Sequence, residues 1–220
     1  MKVLEAAIFD LDGVITSTST LHFKAWKKLA KEIGIKLPRE FNEKLKGVSR
    51  MESLDLILQF GEGEYSYPEK SILADKKNNY YLNYVKAITN ANLFPGVLEC
   101  FGLLNNKGIK IVLASASNNA NLVIKLLNIE NYFDFIMNPN EIKKGKPDPE
   151  IFIRAAEGIG AKPGNCIGIE DSVAGIIAIN SCGMFSVGIG KKEVLYMADT
   201  CIKNLSEFNM EKICTMGGFV

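Results

Sequence analysis

Five short apolar runs, separated by stretches of helical periodicity, constrain this chain more than any other feature. Ala6 to Phe9, Lys110 to Ala114, Phe133 to Met137, Cys166 to Ile169 and Phe185 to Ile189 are each four or five residues long and rich in apolar residues. Runs of that length and character read as strands buried on both faces. Helical patterns accompany the later ones: Gly96 to Asn106, Asn118 to Leu127, Pro149 to Gly158 and Ser172 to Cys182. Such an alternation predicts a parallel sheet covered by helices, a doubly wound, Rossmann-like α/β core.

The gap between the first and second runs is too long for a simple crossover, and from about Ser17 to Asn90 it carries no strand pattern. His22, Trp26, Leu29 and Ile33 recur at helical spacing and stop at Gly34. Ser49 is placed to cap a helix carrying Leu54, Ile57 and Leu58, which Gly61 to Gly63 ends. Tyr65 to Pro68 reads as a loop, and a longer helix follows from about Pro68 to Ile88. The expected organisation is an α/β core formed by residues 1–16 and 91–220, with an inserted all-helical cap at 17–90. Its hinges are Thr16 to Ser19 and Thr89 to Phe94. An insertion that leaves the sheet at the carboxyl end of a strand stands where open α/β sheets bind ligands and can act as a lid.

A formal net charge of +1, from 26 basic and 25 acidic residues, leaves no electrostatic footprint for nucleic acid or an anionic membrane. No apolar run approaches the roughly 20 residues of a membrane span. Acidic residues at Glu5 and Asp10 come too early for a signal peptide. The five cysteines are scattered, with no Cys-x-x-Cys pair, and Cys166 and Cys182 read as small core residues. A reducing cytoplasm is the expected compartment. No long apolar stripe demands a partner, so a monomer is expected.

The first run leads directly into Phe9-Asp10-Leu11-Asp12-Gly13-Val14. Two carboxylates one residue apart share a face while the chain stays extended, and Gly13 then permits a sharp turn. Carboxylates that close repel one another and are costly to bury, so a hard, oxygen-binding cation such as Mg2+ would relieve the pair. Three later segments also fall at strand ends. Ser115, Ala116, Ser117 and Asn118 run from a strand into a helix amino terminus, which suits a phosphate and equally suits an ordinary Ser/Asn cap. Lys143 and Lys144 read as solvated, whereas Pro147 and Pro149 hold the backbone around Lys146, fixing an ammonium that can neutralise a phosphate and nearby carboxylates. Glu170 and Asp171 form a second acidic pair, suited to completing an oxygen cage.

Taken in order, Asp-x-Asp, Ser, Lys and an acidic pair resemble the phosphotransferases of the haloacid dehalogenase superfamily. The likeness spans nearly the whole chain and fades after about Gly190. It is carried by Phe9 to Thr16, His22 to Trp26, Leu45 to Arg50, Leu113 to Ser117, Lys146-Pro147 and Gly168 to Ser172, and is strongest toward the hexose-phosphate mutases of that superfamily. The resemblance implies that Asp10 is the nucleophile, forming an aspartyl-phosphate, and that Asp12 is the general acid/base. It implies Mg2+ held by Asp10, the backbone carbonyl of Asp12 and Asp171, with Glu170 in support. It assigns Ser115 and Lys146 to the transferring phosphoryl group, and Arg50, Ser117 and Asn119 to a distal phosphate, with Ala116 and Asn118 in the same loop. Lys46, Gly47, Val48, Ser49 and Lys77 would contact the sugar or close over it.

His22 shares a helical stripe with Trp26, Leu29 and Ile33 and reads first as a packing histidine. The resemblance places it beside the hinge, helping to position Asp12 and the substrate, with Trp26 in the same substrate-binding set. Ser17 and Asn118 depart from the family pattern, where an acidic residue and a lysine are expected. The resemblance also suggests a cis Lys146-Pro147 bond. The implied reaction interconverts β-D-glucose 1-phosphate and glucose 6-phosphate, with β-glucose 1,6-bisphosphate as primer and intermediate. The alternative is a Mg2+-dependent phosphatase of small sugar phosphates with the same nucleophile. The Lys46 to Arg50 turn favours the mutase, because a mutase needs a second phosphate site.

Overall fold

The computed structural model describes residues 2–45 and 48–220. Its centre is β1 (Ala6–Phe9), whose four residues are fully buried. β2 (Lys110–Leu113), β3 (Phe135–Ile136), β4 (Cys166–Glu170), β5 (Phe185–Ile189) and β6 (Thr200–Ile202) complete one sheet in the order β3-β2-β1-β4-β5-β6. Every pairing is parallel. The chain winds outward from β1 through β2 to β3, then returns to the other side of β1 and winds outward through β4, β5 and β6. The switch point of the doubly wound sheet therefore lies between β1 and β4, and ligands are expected at the carboxyl ends there.

Alternation along β1 explains why the strand must be apolar throughout. Ala7 and Phe9 point into one core with α4 (Val97–Asn106), α5 (Ala120–Leu126) and α8 (Met210–Gly217). Ala6 and Ile8 point into the other, with α6 (Glu150–Glu157) and α7 (Val173–Ser181). α1 (Ser19–Glu32), α2 (Arg50–Leu58) and α3 (Tyr67–Val85) build a separate apolar cluster, in which Trp26, Leu29, Leu54, Ile57 and Ala74 meet. The carboxyl end of α3 joins it to the sheet unit, because Tyr81, Val85 and Ile88 belong to the core beneath α4. The two connections run side by side: Thr16 and Leu93 form an antiparallel bridge, and Phe94 N donates to Ile15 O at 2.9 Å.

Local signals account for most element ends. Ser49 caps α2 through a capping box, its Oγ accepting from Glu52 N at 3.3 Å while Glu52 Oε2 accepts from Ser49 N at 3.2 Å. Several expectations need correction. Tyr67 and Pro68 open α3 instead of forming a loop, since a proline in the first turn sacrifices no helical hydrogen bond. β3 is limited to Phe135–Ile136, because Glu130–Tyr132 is a short 3-10 helix. Arg39–Leu45 also forms a 3-10 helix, and β6 and α8 lie where no element was expected. Cys166 is buried as expected, but Cys182 is only half-buried at the end of α7. All five cysteines are free thiols, and among the described residues no helix is long and apolar enough to cross a membrane.

Candidate active site

Asp10 is fixed at the switch point by its backbone, whose N–H donates to Ile169 O at 3.0 Å, while Ala114 N donates to Phe9 O at 2.8 Å. The ends of β1, β2 and β4 are thus tied together around one carboxylate. Lys146 Nζ, buried, donates at 2.6 Å to Asp10 Oδ1 and at 2.6 Å to Glu170 Oε2. The other oxygen of Glu170 accepts from Asp171 N, Ser172 N and Ser172 Oγ at 3.0–3.1 Å. Burial raises the pKa of Asp10, opposed by the Lys146 ammonium. Burial alone would depress Lys146, but the two carboxylates outweigh it and hold the ammonium above its ordinary value. The Lys146-Pro147 peptide is cis.

Carboxylate oxygens of Asp10, Glu170 and Asp171 lie within 4.8 Å of one another. They offer hard oxygen donors within reach of a single cation, and this donor set fits Mg2+. Two glycines make the cluster possible. Gly13 has φ +86°, and a Cβ there would lie 2.1 Å from Asp171 Oδ2. A Cβ on Gly175 would lie 2.1 Å from the Glu170 carboxylate. Gly175→Ala is therefore expected to cost about 1–3 kcal/mol through overpacking, a fall of several degrees in melting temperature. Gly102→Ala, in α4 with no atom within 4 Å of the added methyl, is the comparator and should raise it slightly. Equal melting temperatures for the two variants would contradict the close packing of α7 on Glu170.

The carboxylates of Asp10 and Asp12 do not share a cation cage, because the chain leaves the extended form at Leu11, whose carbonyl accepts from both Ile15 N and Thr16 N. Asp12 Oδ1 instead accepts from Thr18 N at 2.7 Å and Thr18 Oγ1 at 2.5 Å, at the entry to the helical unit. Burial raises the pKa of Asp12, and the Thr18 bonds oppose the rise in part. Only its backbone carbonyl remains as the metal contact that the resemblance implies.

Above these groups, helices of the insertion close a cleft. Its wall includes Asp10, Asp12, Ser115, Ala116, Ser117, Asn118, Asn119 and Asp171 from the sheet unit, facing His22, Trp26, Val48, Arg50 and Lys77 from the helices. His22 stacks on Tyr81, with ring centroids 3.8 Å apart, and its Nδ1 lies 2.7 Å from Lys77 Nζ. While Lys77 carries its proton, the ammonium only donates, so Nδ1 accepts and the imidazole is neutral. Burial, then the charges of Lys77 and Arg50, push the His22 pKa well down. Burial, reinforced by Arg50 and opposed by Asp12, brings Lys77 down to about 7. His22 is thus both the packing residue of the bland reading and part of the cleft.

Three predicted site residues stand apart from that wall. Ser49 is occupied in capping α2 and faces a neighbouring cavity with Lys146. Glu170 is buried behind Lys146. Lys46 and Gly47 lie outside the described residues. Sequence reasoning missed Ser19, Phe23, Asn42, Leu45 and Ser53 on the wall, and Thr18 and Asn78 beside it. Ser53 had a legible signal, since it follows Arg50 by three on α2 and so shares its face.

A doubly wound sheet with an aspartate at the switch point, a lysine bridging it to a second acidic strand end, and helices over the cleft defines the class. The chain belongs to the haloacid dehalogenase-like hydrolase family, whose model matches residues 4–183. It is 44% identical over 210 residues to the beta-phosphoglucomutase of Bacillus subtilis, covering 94% of this chain and 93% of that one. It is also similar to the crystal structure of beta-phosphoglucomutase from Clostridium difficile, with a TM-score of 0.95, 47% identity and 98% of each chain covered. A phosphorylated carbohydrates phosphatase of Thermotoga maritima is 30% identical over 184 residues, 82% of each chain.

Proposed function

We propose that the chain is a β-phosphoglucomutase, interconverting β-D-glucose 1-phosphate and glucose 6-phosphate through β-glucose 1,6-bisphosphate. The observation that supports this reading is a cleft wall carrying Asp10, with Lys146 bonded to it, and Ser115 at the switch point, and Arg50, Ser117 and Asn119 where helices face the sheet unit; the two groups are read as a reactive and a distal phosphate site. A hydrolase of monophosphates requires the first site; a mutase requires both. Near-full-length similarity to two beta-phosphoglucomutases supports the substrate assignment.

Phosphorylated Asp10 gives its phosphoryl group to a free hydroxyl of the sugar monophosphate: the hydroxyl oxygen bonds phosphorus as the bond from phosphorus to Asp10 breaks, and Asp12 takes the hydroxyl proton. The resulting bisphosphate reorients, a carboxylate oxygen of Asp10 bonds the other phosphorus as its bond to the sugar oxygen breaks, and Asp12 returns the proton to that oxygen. Ser115 and Lys146 hold the equatorial phosphoryl oxygens, because phosphoryl transfer depends on positioning and charge neutralisation. Mg2+ is the cofactor the site would take: Asp10, Asp171 and the Asp12 carbonyl would hold it with Glu170 in support, and it would offset the charge on the phosphoryl oxygens. Residues 17–90 act as the lid that keeps water from the phosphoenzyme. The enzyme acts as a monomer in the cytoplasm.

Turnover of β-glucose 1-phosphate with Mg2+ and a bisphosphate primer, compared with the α-anomer, tests the reading. Glucose 6-phosphate from the β-anomer alone is expected; free phosphate as the main product would favour the phosphatase. A pH profile gives a second check. Asp12, Arg50 and His22 surround Lys77, which loses its proton at about 7 in the free enzyme. Its ammonium attracts the anionic substrate, so kcat/KM should fall by up to about tenfold per pH unit above that value. In Lys77→Met this limb should vanish; its persistence would remove Lys77 from substrate binding.

A further inference from the structure

Arg50 and Asn119 come from opposite sides of the cleft, one opening α2 and the other preceding α5, and both line its wall. They are joined by a residue outside that wall. Asn78, half-buried on α3, places its Oδ1 3.1 Å from Arg50 Nη2 and 2.9 Å from Asn119 Nδ2. A guanidinium has donors only, so Asn78 must turn its oxygen to Arg50. The same oxygen then accepts from Asn119, which fixes that amide with its nitrogen toward Asn78. One N–H of Asn119 and the Arg50 N–H groups not bonded to Asn78 can turn to an anion in the cleft. Among the described residues Arg50 also has an acidic neighbour in the exposed Asp75, at a loose 3.8 Å.

We propose that Asn78 is a positioning residue that couples closure of the helical lid to the grip on the distal phosphate. This deepens the mutase reading and rests on it. Asn78 touches no substrate; it orients one lid donor and one sheet-unit donor with a single oxygen. The Asn78–Asn119 bond spans the two units, so opening the cleft breaks it and releases Asn119, while the Asn78–Arg50 bond stays within the lid. A second close approach lies nearby, where a Cβ on Gly145 would fall 2.8 Å from Glu52 Oε2 of α2. Glu52, however, is engaged in the α2 cap, so the donor-orienting contact is Asn78's.

The two half-reactions separate this role from a general structural one. Acetyl phosphate phosphorylates Asp10 without a distal phosphate, whereas discharge of the phosphoenzyme by glucose 6-phosphate uses one. In Asn78→Ala, KM for glucose 6-phosphate in discharge should rise about tenfold, the usual scale of a lost hydrogen bond to a charged group. Phosphorylation by acetyl phosphate should change less than about twofold. In an Arg50→Ala background the same substitution should add less than about threefold, since its effect runs through Arg50. Equal losses in both half-reactions, or independent effects of the two substitutions, would overturn the proposal. A wild-type phosphoenzyme discharged by water alone would contradict the mutase reading instead. Asn78 would then be judged by calorimetric binding of glucose 6-phosphate, where an unchanged affinity in Asn78→Ala overturns its role and a tenfold loss upholds it.

Discussion

Asp10→Asn is expected to yield a folded protein that takes up no phosphoryl group and turns over β-glucose 1-phosphate at least ~10^4-fold more slowly. An amide of the same size fills the place of the carboxylate but has no nucleophilic oxygen to offer phosphorus. Folding should survive, because Lys146 keeps its 2.6 Å bond to Glu170 when the Asp10 charge is removed. Intact-protein mass after acetyl phosphate treatment would show the added phosphoryl group in the wild type and none in the variant. Circular dichroism would confirm that both are folded. Turnover within tenfold of the wild type would move the nucleophile elsewhere.

Asp12→Ala should have the second largest effect, and it should be selective. Loss of a positioned general acid/base costs about 10^2–10^4 in turnover. Sugar alkoxides need that proton; acetate, the leaving group of acetyl phosphate, does not. Phosphorylation of Asp10 by acetyl phosphate should therefore proceed within a few-fold of wild type while mutase turnover collapses. Because the Asp12 carboxylate bonds to Thr18 and lies outside the Asp10-Glu170-Asp171 cluster, Mg2+ affinity should be nearly unchanged. If both half-reactions fall equally, Asp12 shapes the site and does not move protons.

Most of the sheet was legible because its strands are short, rich in apolar residues and separated by helices, and the Ser49 cap because its partner Glu52 stands three residues on. β6 escaped notice since three half-buried residues carry no period. The Asp10–Asp12 spacing marks the motif, but the chain there is not extended: the turn at Leu11 divides the two carboxylates between a charged cluster and the lid hinge. In the proposed mechanism that division lets Asp10 attack phosphorus while Asp12 handles protons. Asn78 was invisible because an asparagine on a polar helix face has no sequence signal. Its importance exists only once α3 is folded against the loop before α5.

In the proposed mechanism the lid directs the phosphoryl group to sugar and away from water. Phosphoenzyme formed on Asp10 with labelled acetyl phosphate, freed of excess donor and mixed with glucose 6-phosphate, tests this partition. The label should appear mainly in glucose 1,6-bisphosphate, much faster than it is released in water alone. Label released mainly as inorganic phosphate, at a rate that glucose 6-phosphate does not alter, would contradict it.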